Sequence, residues 1–102
     1  MILKNKMMDK EKRIELYKKA IDVWGIEAQR NMAFEELGEL NTALARDRRG
    51  RATREEILTE LADVTIMCEQ LALFLGYDDY EKEIDNKLTR LRDEKLAKYE
   101  SV

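Results

Sequence analysis

No proline interrupts this chain, and three of its four glycines fall where a helical spacing of apolar residues breaks off. That combination leaves little besides helices joined by tight turns. From Asp9 to Trp24, Ile14, Tyr17, Ile21 and Trp24 recur at helical intervals, and Gly25 ends the run. A second helix is predicted from Ile26 to about Arg48, with Ala33, Leu37, Leu40 and Leu44 as its apolar stripe. Gly38 lies inside it at a cost of roughly 1 kcal/mol against alanine, which points to close packing or to close approach by a ligand. After the turn "RRGRA", Thr53-Arg54-Glu55-Glu56 has the form of a capping box, and the third helix runs to Gly76. Asp78, three residues before Glu81, is the expected cap of a fourth helix with Ile84, Leu88 and Leu91 on its apolar stripe. No strand pattern, repeat or low-complexity segment is present. The expected fold is all-α: residues 1–102 form one domain, a four-helix antiparallel bundle-like subunit, with the first eight or so residues loosely ordered.

Charge narrows the function classes. The chain has 19 Lys and Arg against 22 Asp and Glu, a net charge of −3, which gives no bulk attraction to nucleic acid or to a membrane surface. No apolar run approaches the length of a membrane span or a signal peptide, so a cytoplasmic protein is expected. The single cysteine, Cys68, excludes an intrachain disulfide and sits in an apolar run that reads as a buried, inert thiol. There is no histidine. A metal site would therefore be built from oxygen, which suits Mg²⁺ or Mn²⁺.

The acids carry the chemistry. With the leucine stripe of the second helix taken as the core direction, Glu36 and Glu39 share one flank and Glu35 points away. With Leu61, Val64, Cys68 and Leu75 taken as the core of the third helix, Glu60 and Asp63 fall at a similar offset. The two pairs are placed symmetrically about the Arg49–Gly50 turn, so an antiparallel hairpin stands them level. A single ExxE is ordinarily a solvated face, whereas two pairs matched in phase and height would repel one another unless a divalent cation joined them. From geometry alone, both readings stay open.

The residues "EELGEL" followed by "ELAD" resemble the EExxE…ExxD signature of the MazG-like, all-α nucleoside triphosphate pyrophosphohydrolases. That superfamily also includes dimeric dUTPases and phosphoribosyl-ATP pyrophosphohydrolase. The resemblance covers roughly residues 20–90. It implies a helical subunit that assembles as a homodimer or a dimer of dimers. It also implies cleavage of a nucleoside triphosphate between its α- and β-phosphates, with Mg²⁺ or Mn²⁺ as cofactor. Carried over by motif position, the catalytic and metal-binding residues are Glu36, Glu39, Glu60 and Asp63; Glu35 matches the motif's first acid. Basic groups on the last helix of such proteins hold phosphates. A hairpin centred near Gly76 would set Arg90 opposite Asp63 and Lys87 within a turn of it. The sequence departs from the family just beyond, where Leu91 and Asp93 stand in place of an asparagine and a further basic residue.

Trp24 and Gln29 are candidates for the nucleoside end, through stacking and base-edge hydrogen bonding, although Trp24 reads equally as core. Arg46, Arg48, Arg49, Arg51 and Arg54 read as a solvated turn or as a reach into a neighbouring subunit. The third helix is apolar nearly all round, so a second copy is expected to cover it, with Ile66 and Leu73 at the interface and Met67 and Phe74 facing a third direction. The alternative function is a non-catalytic helical interaction module that keeps the fold.

Overall fold

Local signals set the helix ends. In the computed structural model, which describes residues 7–100, the Asp9 side chain accepts from the Lys12 amide at 2.9 Å and opens α1, Lys10–Trp24. Gly25, at φ 86°, donates its amide to the Ile21 carbonyl, and its positive φ lets α2 (Ile26–Arg48) begin at once. The capping box at Thr53 is complete: Glu56 N donates to Thr53 Oγ1 and Thr53 N to Glu56 Oε1, each at 3.1 Å. It opens α3, Arg54–Leu75. The fourth helix, α4, spans Tyr77–Arg90 and passes into a π-helical turn, Leu91–Leu96, and a short 3₁₀ turn, Ala97–Tyr99. Its cap differs from expectation. Gly76 at φ 128° occupies the cap position with no side-chain hydrogen bond, so α4 starts earlier and Asp78 lies within its first turn. There its charge complements the helix dipole instead of capping it. The described residues contain helices and no strands, as expected. The expectation of loose order over the first eight residues falls mostly outside the described ones.

α2 and α3 form an antiparallel pair with the most extensive contact in the chain. Its inner face keeps only Ala33 and Leu40 of the predicted α2 stripe. On α2 the buried residues are Gln29, Ala33 and Ala43, with Glu36 and Leu40 half-buried among them; on α3 they are Met67, Gln70 and Ala72. Leu37, Leu44, Leu61 and Leu75 remain 49%, 48%, 44% and 79% exposed, and Cys68 is exposed as well. The helices meet about 50° away from the centre of the predicted stripe, because the small side chains of Ala33 and Ala43 admit a neighbouring helix where leucine would hold it off. The readings of Cys68 as a buried thiol, and of the leucines as the chain's own core, are therefore corrected. Gly38 meets no packing partner either: a Cβ built there has nothing within 4 Å.

α1 is tied to α3 by a polar clasp. Buried Tyr17 donates its hydroxyl to Glu69, whose same oxygen accepts from Arg13 Nη2 at 2.7 Å. A charged acceptor that is largely out of water makes these bonds stronger than neutral ones. Glu69→Ala is expected to lower the unfolding free energy by about 1.5–3 kcal/mol, measured by urea denaturation. Ile66 lines a small cavity with Leu16 and Tyr17, so α1 covers part of the face that sequence assigned to a subunit interface.

α4 does not close a bundle within one chain. Every residue from Glu81 to Glu100 is exposed, and no Cα of α4 comes within 8 Å of one in α2. The radius of gyration, 17.2 Å, exceeds the roughly 13 Å of a compact domain of this length. Within one chain α2 and α3 pair antiparallel, and α1 also packs on α3, from Arg13 and Tyr17 at Glu69 to Leu16 beside Ala62.

Candidate metal centre

α2 carries Glu36 on its inner face, one turn beyond Ala33, and α3 brings Glu60 and Asp63 to the same level from across the hairpin. One carboxylate oxygen of each of the three lies within 4.8 Å of those of the other two. Glu36 Oε2 is buried and has no hydrogen-bond partner. Burial, and then the charges of Glu39 and Asp63, push the Glu36 carboxyl above its ordinary range. Glu60 is raised in the same direction by desolvation, then by Glu39 and Asp63. No lysine or arginine lies within 4.0 Å of any of these four acids among the described residues. Three hard oxygen donors from two rigid helices, one of them a buried oxygen lacking a donor, fit a divalent cation such as Mg²⁺ or Mn²⁺.

The sequence-predicted acids are brought together unequally. Glu36, Glu60 and Asp63 converge; Glu39 is close enough to perturb two of them but stands exposed on the outer shoulder of α2. Beside the cluster runs an open cleft of about 760 Å³ between α2 and α3, bordered by Glu35, Glu39, Glu56, Thr59 and Glu60. Small-molecule sites commonly have this size. Glu35 thus points away from the cluster but into the cleft, and Gly38 lies on the same wall.

Arg46 also lines the cleft, a placement that attention to the more distant Arg49 missed. The signal was available, since Arg46 follows Glu39 by two helical turns on one face. Its guanidinium is already engaged, 3.2 Å from Glu56 and donating to the Arg51 carbonyl at 2.8 Å, and so it holds the turn closed. Arg48, Arg49, Arg51 and Arg54 are exposed around that turn.

The remaining candidates do not join the cluster. Lys87 and Arg90 are exposed on α4, and Arg90 Nε is 3.8 Å from Glu94. The hairpin that would set Arg90 opposite Asp63 is not formed within the chain. Trp24 is exposed at the end of α1, neither in the core nor in a pocket with Gln29, which is buried. Gln70 was not anticipated: it shares Gln29's register about the turn and keeps a buried, unpartnered Oε1. Comparison with models of protein families, with curated proteins and with solved structures returns no match for the chain.

Proposed function

We propose that this chain is a cytoplasmic, Mg²⁺- or Mn²⁺-dependent nucleoside triphosphate pyrophosphohydrolase that works as a homodimer or a dimer of dimers. The observation that carries the reading is the convergence of Glu36, Glu60 and Asp63 within 4.8 Å, from the two halves of the EExxE…ExxD pattern. A solvated acidic face would spread such charges apart, and this one stacks them against a buried, orphaned oxygen. The divalent cation, when bound, offsets the phosphates' charge and makes a water a better nucleophile. Glu36, Glu60 and Asp63 would hold the cation, with Glu39 beside them at the mouth of the cleft. The water oxygen attacks the α-phosphorus and stays on the monophosphate. The bridging oxygen leaves with pyrophosphate, and a carboxylate of the cluster takes up the water's proton. The open cleft beside the acids gives the nucleotide room to lie along α2 and α3.

A panel of ribo- and deoxyribonucleoside triphosphates with Mg²⁺ or Mn²⁺ tests this. Monophosphate and pyrophosphate are the expected products, and chelation should abolish their formation. A nucleoside diphosphate with orthophosphate would overturn attack at the α-phosphorus. Silence across the whole panel would leave the non-catalytic interaction module as the better reading.

A further inference from the structure

Charge is spread unevenly along α4 and the turns that extend it. Residues 77–86 hold five acids and one lysine, whereas residues 87–98 hold five bases and two acids. Among the described residues, Arg90 and Arg92 pair only with near neighbours: Arg90 Nε lies 3.8 Å from Glu94 and Arg92 Nε 2.6 Å from Asp93. Exposed pairs of that kind contribute little. The acidic half is held at its root, where Lys10 pairs with Glu81 at 2.9 Å and lies over the Tyr77 ring at 4.9 Å.

The same segment carries an uncovered apolar stripe. Ile84, Leu88 and Leu91 share one face, and all three are exposed. The π-helical turn Leu91–Leu96 extends the stripe, because its wider turn brings exposed Leu96 back beneath Leu91. Viewed down the helix, Glu83 and Arg90 lie on one flank of the stripe and Asp85 and Arg92 on the other. Each flank thus has an acid in the first half and a base seven residues later.

That order selects a partner. Two identical helices packed antiparallel are related by a two-fold axis, so like flanks meet. With the axis at Lys87–Leu88, Ile84 stands level with Leu91 of the second copy, and Leu88 meets its own counterpart. Glu83 then faces Arg90 of the second copy across one flank, and Asp85 faces Arg92 across the other. Lys87 meets its counterpart near the axis, a like pair that Glu83, one turn away on the same helix, offsets. Flanking charges of this kind set the direction in which helices pair. A parallel pair would set acidic half beside acidic half and basic beside basic.

We infer that α4 is a self-recognition element: it packs antiparallel against α4 of a second copy of this chain, with the apolar stripe at the seam and the Glu83–Arg90 and Asp85–Arg92 pairs fixing direction and register. Some twenty residues of helix span only about 30 Å, less surface than two chains need to hold together alone. The pair therefore adds to a larger contact between the copies. The inference takes from the proposed function only that copies associate, and it is independent of the pyrophosphohydrolase chemistry.

Cross-linking reads the direction. In a Cys68→Ser background, one chain carries Ile84→Cys and a second, tagged chain carries Leu91→Cys. Unfolded and refolded together, then treated with a short bismaleimide, they should give the mixed dimer several-fold over either like dimer on a denaturing gel. Like dimers in its place would show parallel pairing, and no covalent dimer would show that α4 docks elsewhere; either overturns the proposal. Charge reversal reads the register. Adding Arg90→Glu and Arg92→Glu to both chains should suppress most of the mixed product, and adding Glu83→Arg and Asp85→Arg as well should restore it. Failure of that rescue would overturn the assigned pairs. No turnover is needed, so an inactive protein that passes both tests upholds the pairing while the enzyme reading fails.

Discussion

Glu36→Gln is expected to lower metal-dependent turnover by at least about 10²-fold while making the metal-free protein more stable. The loss follows from the position of Glu36, the one acid of the cluster with a fully buried oxygen and no donor. Removing even an indirect support of a metal ligand typically costs 10–100-fold, so loss of a ligand charge should cost at least the upper end of that range. The gain in stability follows from linkage. Glu36 and Glu60 are both raised in the fold, chiefly by desolvation and then by neighbouring acids. For a carboxyl whose folded pKa exceeds its unfolded one, the native state binds more protons between the two values, so stability falls as pH rises through that interval. The metal-free protein should therefore lose stability as pH climbs above the ordinary glutamate value of 4.5. The loss should persist at neutral pH, and saturating Mg²⁺ should reverse it. Glu36→Gln removes one of the repelling charges and should flatten the pH profile. Thermal melts at pH 5 and pH 8, with and without Mg²⁺, measure both effects. An unchanged turnover in Glu36→Gln, or a wild-type melting temperature indifferent to Mg²⁺, would remove Glu36 from the centre.

The outcome for each element depends on whether its cause was local. Asp9, Gly25 and the Thr53–Glu56 box act over three or four residues, and the helix ends they mark are those observed. The level placement of the acids was equally legible, because a hairpin's register is fixed by its turn. The core direction was not. Counting apolar residues favours leucine, whereas close helix contact here selects Ala33 and Ala43, so the contact face keeps Ala33 and Leu40 of the predicted stripe but replaces Leu37 and Leu44 with Glu36 and Ala43. Glu36 was placed on a flank and proves to face inward, which explains why its oxygen is buried and why Glu39, taken as its equal, is not. α4 failed for another reason. Its sequence reveals an apolar stripe and a basic flank, but periodicity within a helix carries no record of which surface, in which copy, will cover it.

That displaced leucine stripe makes the last prediction. Phe34, Leu37 and Leu44 on α2 and Leu58, Leu61 and Leu75 on α3 are all exposed. On each helix they lie about one residue's rotation beyond the contact face. Because the helices are antiparallel, rotations of the same sense turn both sets toward the same side of the hairpin, where Leu37 and Leu61 stand nearly level about the Arg49–Gly50 turn. Exposed large apolar residues gathered on one side of a hairpin are rarely left wet. Each large side chain fully buried there contributes roughly 1.5–3 kcal/mol. A second copy presenting the same face would cover it by two-fold symmetry. The interface is thus proposed at Leu37 and Leu61 instead of Ile66, which α1 already covers in part, and Leu73, which is half-buried. In light scattering the wild type should have at least twice the chain mass at micromolar concentration. Leu37→Glu with Leu61→Glu should reduce it to the monomer. Ile66→Glu supplies the contrast: it should weaken the packing of α1, lowering the melting temperature, while the oligomer's mass is retained. A monomeric wild type, or a double variant of unchanged mass, would show that this face is not what joins the subunits.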